Sequence, residues 1–230
     1  MFDQLHKVKK IALISILIFG FFFKNANAQS SYYNNEYSVM TAGLIAGATF
    51  MQVDGDGYKG YHKTGFTGGG ILYLPFGDVD LPFDATVALS MEVLYTQKGA
   101  RGKGPILNTY FYDQNIQLHY GEVPIQINIY RGARKSGFGA GFSVGYLGLS
   151  EETIKEQGQV ELKQGKPFRK FDFCFVLTGN LHVWNGFFLS PRFEYSLVSV
   201  RKNNSMFGGR NEQFNNVLAL RLMYLIRNKS

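Results

Sequence analysis

The stretch Phe214–Ile226, FNNVLALRLMYLI, alternates at every step. Phe214, Asn216, Leu218, Leu220, Leu222, Tyr224 and Ile226 share one parity, and Asn215, Val217, Ala219, Arg221 and Met223 share the other. A period of two marks an extended strand whose side chains point to opposite faces. One face is large and apolar; the other is small or charged. A soluble domain turns the large face into its core, whereas an outer-membrane barrel turns it outward against lipid. Which of the two holds here decides the fold.

The same alternation runs through the chain upstream. In FFLSPRFEYSLV (187–198), Phe187, Leu189, Pro191, Phe193, Tyr195 and Leu197 oppose Ser190, Arg192, Glu194 and Ser196. In FDFCFVLTGNL (171–181), Phe171, Phe173, Phe175, Leu177 and Leu181 oppose Asp172, Cys174, Thr178 and Asn180. FGAGFSVGY (138–146) sets Phe138, Phe142, Val144 and Tyr146 against Gly139, Gly141, Ser143 and Gly145. ATVALSMEVLYTQK (85–98) sets Val87, Leu89, Met91, Val93 and Tyr95 against Thr86, Ser90, Glu92 and Thr96. One strand breaks phase: Ile116, Leu118 and Tyr120 share one parity, and Val123, Ile125, Ile127 and Ile129 share the other. A bulge near Gly121 that flips the facing downstream accounts for the break, and it spares the missing N–H of Pro124. TAGLIAGATFMQ (41–52) and GFTGGGILYLPF (65–76) complete about eight strands.

The connections alternate. Long ones are expected at 53–63, 99–109, 150–169 and 201–211, and short ones near 77–84, 130–135 and 182–186. Long outer loops and short periplasmic turns are the habit of outer-membrane barrels. The small face, rich in Gly, Ala, Ser and Thr, suits the narrow interior of an eight-stranded barrel. The charges agree. Glu92, Glu122, Asp172, Arg192, Glu194 and Arg221 all fall on the small face. A lipid-facing Arg at mid-depth costs about 2–4 kcal/mol. Inside, these six can pair with one another and with His119, Asn180 and Asn215. They could line an ion or substrate path. With so few strands, a packed polar network and a closed lumen are the expectation. The fold class is therefore all-β, an eight-stranded antiparallel up-and-down transmembrane β-barrel. The rival is a soluble lipid-binding β-barrel with the faces exchanged.

The N-terminus gives the compartment. Lys7, Lys9 and Lys10 precede the apolar run Ile11–Phe23, and Ala26 and Ala28 form a small-x-small site. This reads as a signal peptide over 1–28, cut between Ala28 and Gln29, then a short segment 29–38 and a barrel domain over 39–230. Export to a Gram-negative outer membrane is expected. The apolar run is too short and too interrupted for a spanning helix. The full chain carries a net charge of +7. The leader's four lysines and one aspartate account for +3, leaving a mildly basic +4. That charge, with export, excludes nucleic acid as a partner. A lone cysteine, Cys174, excludes an internal disulfide framework and reads as buried filler.

The remaining motifs resolve into topology. In MQVDGDGYKGYHKTGF (51–66), Asp54 and Asp56 fill the first two ligand positions of a calcium loop. Tyr58 then takes the third position and Lys59 replaces the required glycine. The stretch reads as the first outer loop, with Tyr58 and Tyr61 at the membrane edge. His62, His119 and His182 form no metal-ligating pair, so no metal or cofactor is expected. A lipid-modifying barrel enzyme would need a Ser, a His and an acid at one rim, with His119 or His182 as the base. The G-x-S-x-G spacing of GFSVG (141–145) falls inside an alternating strand rather than at a strand-to-helix elbow, and the expectation is a non-enzyme. The charged loop 150–169, read as a projecting hairpin extension, and the loop 201–211 are where a protein partner would bind. The barrel is expected to be a monomer bathed in outer-membrane lipid.

The segments AGLIAGATFMQVDGDGYKGYHKTGF (42–66), MEVLYTQKGARGKG (91–104), LHYGEVPIQINIY (118–130), GFGAGFSVGYL (137–147) and EQFNNVLALRLMYLI (212–226) together resemble the PorT-like outer-membrane β-barrel family of Bacteroidetes. The resemblance spans almost the whole exported chain. It implies an eight-stranded outer-membrane barrel with no known cofactor or catalytic set, and a link to type IX secretion. One departure is the tail after Tyr224, LIRNKS, which places an expected insertion signal at Met223–Ile226 rather than at the end.

Overall fold

The computed structural model describes residues 40–55, 60–79, 85–106, 110–131, 136–156, 159–161, 168–202 and 212–226. The expected leader, its cleavage site and the segment 29–38 lie outside these residues. The strands are β1 (Thr41–Asp54), β2 (Lys63–Val79), β3 (Ala85–Ile106), β4 (Tyr110–Arg131), β5 (Ser136–Glu156), β6 (Gln159–Glu161), β7 (Phe171–Trp184), β8 (Phe187–Ser196), β9 (Arg201–Lys202) and β10 (Glu212–Leu225). Eight of them, β1 to β5 with β7, β8 and β10, pair antiparallel in chain order. The stretch read first closes the ring: β10 pairs with β1 from Gly43↔Leu225 to Asp54↔Phe214. Closure leaves no unpaired edge in the lipid-facing wall, which hydrocarbon requires. β6 folds back on β5 from Ile154↔Glu161 to Glu156↔Gln159, so the described part of the 150–169 segment is a hairpin.

The faces fall as the alternation demands. Leu44, Leu72, Met91, Val93, Ile125, Ile127, Phe142, Leu177, Leu220 and Leu222 all stand exposed on the outer wall. A continuous apolar surface of this kind is far beyond what a soluble monomer shows. Phe50, Phe66, Tyr95, Tyr146 and Phe171 border it toward the long-loop end, and Phe76, Phe138, Trp184 and Tyr224 toward the other. These are the aromatic girdles of a transmembrane barrel. At the short-turn end Asn185 and Gly186 both take positive φ (36° and 86°), the two-residue reversal that an Asn-Gly pair favours.

Two expectations are corrected. β4 does not flip at Gly121. Its even-numbered residues face inward from Gln114 to Asn128, and β3 keeps one register along it, lapsing only opposite Pro124, which has no N–H to give. The bulge lies one strand over: His119 pairs with Leu149 and Tyr120 with Leu147, so Gly148 of β5 is the extra residue. What changes at Gly121 is the surroundings. Below it the outer face meets lipid and is apolar. Above it the outer face meets water, and the apolar side chains Ile116, Leu118 and Tyr120 turn inward onto Leu147, Phe168 and Val200. The second correction concerns the outer loops at 99–109 and 150–169, much of which is strand. β3, β4 and β5 run on beyond the girdle and pair with each other there, Gly99↔Gln117 and Gln117↔Glu151 among the pairs. Above the belt no apolar outer face is imposed, so the period-two signal fades while the ladder continues.

Candidate functional site

The lumen is filled in layers. At the short-turn end Ile45, Ile71, Tyr73, Ala88, Phe188 and Met223 pack together as a floor. The Tyr130 hydroxyl donates to that of Tyr73, and Asn180 donates through Nδ2 to Asn128 Oδ1 (3.2 Å) and Tyr130 Oη (3.2 Å).

The next layer is built on Glu92 of β3. Its Oε2 accepts from Arg192 Nη2 of β8 (2.6 Å) and Arg221 Nη1 of β10 (3.0 Å), and its Oε1 from Gln126 Nε2 of β4 (3.1 Å). Arg221 also donates to Ser190 Oγ (2.8 Å), and Thr178 donates to Gln126 Oε1 (2.7 Å). The three partners of Glu92 come from the inward parities of three different strands. Room is made by β5, whose inner face is largely glycine. A Cβ on Gly139 would stand 2.2 Å from Asn128 Oδ1, and one on Gly145 3.4 Å from Glu122 Oε1.

The upper layer centres on Lys98, which is fully buried. Its Nζ lies 2.6 Å from Glu122 Oε1, 2.6 Å from Glu194 Oε1 and 3.1 Å from Asp172 Oδ2. Cys174 Sγ is 3.3 Å away, and the Tyr120 ring centroid 5.1 Å. Asp172 also accepts from Ser196 Oγ (2.7 Å) and Asn215 Nδ2 (2.8 Å). Glu122 is served differently: it is close to Nζ, but neither carboxylate oxygen has a well-aligned hydrogen bond. Tyr120 Oη, Ser143 Oγ and Asn215 Oδ1 are likewise without a partner among the described residues.

A hydrophobic layer, Ile116, Leu118, Leu147, Phe168 and Val200, covers Lys98. Above it Arg201 forks onto Glu152, Nη2 to Oε2 at 2.7 Å and Nη1 to Oε1 at 3.2 Å, with its guanidinium 3.7 Å over the Phe168 ring. This fork ties β9 to β5 across the mouth.

The structure thus places all six charges singled out in the sequence inside the barrel, as two clusters. Lys98 was missed, although it carries Glu92's parity six residues along the same strand; that parity was the available signal. Arg201 was assigned to a loop, where parity carries no information. His119 is corrected: it faces outward, half-buried, where Tyr95 Oη meets its Nδ1 (2.5 Å) and Gln117 its Nε2 (3.1 Å). The facing flip expected at Gly121 would have turned it in, and no flip occurs. His182 lies at the opposite end, stacked edge-on to Phe188 (5.1 Å), so the two histidines share no site. Among the described residues no cluster of His, Cys, Asp and Glu is arranged to hold a metal.

At the outer rim, above the girdle, Lys63 donates to Asn115 Oδ1 (2.8 Å) and the Ile116 carbonyl (2.5 Å). Burial first, and the Arg101 guanidinium second, push its ammonium down to about 8, with Glu151 opposing. Tyr61 donates to Asn216 Oδ1 (2.6 Å), and burial with the Asp54 carboxylate pushes its phenol up.

The sequence matches the family described as "Outer membrane protein beta-barrel domain" over residues 27–201. Among solved structures, the attachment invasion locus protein Ail of Yersinia pestis aligns at 14% identity over 81% of this chain and 98% of its own, with a TM-score of 0.46. Neisserial surface protein A aligns at 8% identity over 80% and 96%, with a TM-score of 0.36. The outer membrane protein AlkL, solved in lipid bilayers, aligns at 13% over 90% and 98%, with a TM-score of 0.32. No curated protein matches the chain. With three-quarters of its length matched, the chain belongs to the outer membrane protein beta-barrel domain family.

Proposed function

We propose that this is a closed, non-enzymatic barrel that serves the cell envelope as a structural or interaction module. The observation that carries the reading is the filled lumen. A floor around Phe188, two ionic layers on Glu92 and Lys98, and a cover around Phe168 leave the interior to side chains packed on side chains. What remains for function is the outside: the lipid-facing wall and the long-loop end, where β3, β4 and β5 rise beyond the membrane. A protein partner would dock there. Of the two loops assigned to that role, 157–158, 162–167 and 203–211 lie outside the described residues. The likeness to PorT-like barrels of Bacteroidetes makes a component of the type IX secretion apparatus the partner class of choice.

Two experiments test this. Affinity capture with the intact barrel should recover an envelope or secretion protein, and lose it when the β5–β6 hairpin is trimmed back to Leu147. Reconstitution into vesicles containing lipid A, followed by mass spectrometry, should return the lipid unchanged. Lipid modification that disappears in His119→Ala or His182→Ala would replace the proposal with an enzyme.

A further inference from the structure

The long-loop girdle has a gap in it. Along one row of the outer wall, Tyr95 of β3 pairs with Gly121 of β4, and Gly121 pairs with Tyr146 of β5. Two outward tyrosines therefore flank an outward glycine, each about 5 Å of strand spacing away. Nothing lies within 4 Å of the place a Cβ on Gly121 would take. The next glycine in the row differs. Gly68, which pairs with Tyr95 from β2, has that space taken by the Phe66 ring at 2.8 Å. Both flanks are held. Tyr95 rests on His119, one rung above the glycine (5.9 Å between centroids), and Tyr146 packs edge-on to Phe171 of β7, on the side away from Gly121 (5.4 Å). The result is an aromatic slot with a backbone floor. Below it the outward residues Val93, Val123 and Val144 are apolar. Above it Gln97 Nε2 donates to Tyr95 Oη (3.2 Å), and Gln117 Nε2 meets His119 Nε2 (3.1 Å). The exposed Lys170 is anchored next to Tyr146 by its own carbonyl, which accepts from the Leu147 N–H (2.7 Å).

We infer that this slot binds the phosphorylated sugar headgroup of an outer-leaflet glycolipid of the lipid A class. Three observations converge. The first is depth. The slot lies in the girdle, with amides on its water side and valines on its membrane side, so an amphiphile seated there has its headgroup at Gly121 and its chains over Val123. The second is shape and bonding. A sugar ring presents flat C–H faces to aromatic rings and hydroxyls to amides and imidazole, and Tyr95 and Tyr146 with Gln97, His119 and Gln117 supply both. A phospholipid headgroup has no such flat face. The third is charge. Lys170 offers an ammonium to a phosphate beside the slot. The carboxylate of Glu151 stands two rungs above Gly121, within electrostatic reach of Lys63. The leaflet follows from the long loops facing outward; the slot itself does not depend on it.

The test is native mass spectrometry of the whole refolded barrel, released from micelles doped with equal amounts of lipid A and phosphatidylethanolamine. Gly121→Leu fills the slot. Gly121 is not among the positive-φ glycines and the space is open, so the barrel should fold and keep its heat-modifiable band. Gly70→Leu makes the same change on the outward face of β2, where the nearest atom is 3.8 Å away. Tyr146→Leu removes one flank and leaves the floor open. Wild type and Gly70→Leu should retain one lipid A in preference to phosphatidylethanolamine. Gly121→Leu and Tyr146→Leu should each retain about tenfold less, the effect of a lost aromatic contact. Undiminished retention by Gly121→Leu overturns the inference, and so does a wild-type barrel that holds phosphatidylethanolamine as tightly as lipid A. Should Gly121→Leu lose its heat-modifiable band, Tyr146→Leu decides by the same criterion.

Discussion

The two ionic layers of the lumen are built from the same residue types in opposite proportion. The lower one sets one carboxylate, Glu92, against two guanidiniums, Arg192 and Arg221. The upper one sets one ammonium, Lys98, against three carboxylates, Glu122, Asp172 and Glu194. Charge is thus not balanced layer by layer. Arg192 and Glu194, two residues apart on one face of β8, link the two excesses. Bonding differs as well. In the lower layer the planar guanidinium forks reach Glu92 and Ser190 together, so each group is served. In the upper layer a single point-like ammonium must serve three acids, and Glu122 is left with proximity alone. A fork directs several bonds at once, whereas an ammonium satisfies what lies within its three donors.

The largest expected effect breaks the upper layer at its hub. Lys98→Met leaves three buried carboxylates facing one another, and should cost about 3–5 kcal/mol or prevent closure, read as the urea midpoint of the refolded barrel in detergent. Glu92→Gln should cost less, about 2–3 kcal/mol, because the amide oxygen still accepts from one guanidinium while the second goes uncompensated. Glu122→Gln sharpens the comparison: removing the least-bonded acid of an acid-rich layer should change stability by no more than about 0.5 kcal/mol, or raise it. A loss as large as that of Glu92→Gln would mean that the upper layer is as tightly bonded as the lower. The smallest effect concerns Lys63, a cation given a carbonyl and an amide in place of a carboxylate. Its folded-state value of about 8 lies below its unfolded one, so the unfolded chain binds more protons between them. Stability should therefore rise as pH climbs from about 8 toward the unfolded value, and Lys63→Met should flatten that rise.

Much of this was legible in the sequence because a barrel wall enforces strict alternation. On β10, Leu218, Leu220 and Leu222 face lipid while Ala219, Arg221 and Met223 face the lumen, so parity alone separated wall from interior. Legibility failed where the wall leaves the membrane. On β4 the apolar parity switches at Gly121 because lipid gives way to water, and that switch looks the same in sequence as a bulge. The true bulge at Gly148 has no such signal, since Leu147 and Leu149 flank it symmetrically. Lys98 shows a further limit. Parity puts it inside, but only the closed ring brings Glu122, Asp172 and Glu194 from three other strands to its ammonium. Gly121 is alike in this respect: it is ordinary alone, and the slot exists because β3 and β5 set Tyr95 and Tyr146 on either side of it.

The central claim is that side chains close the lumen from floor to cover. Single-channel recording of the purified barrel in planar bilayers tests it most directly. The packing around Phe188, Glu92, Lys98 and Phe168 predicts a baseline without large, stable conductance steps. Large steps that persist under constant voltage would contradict it, and would recast the two ionic layers as the lining of a path.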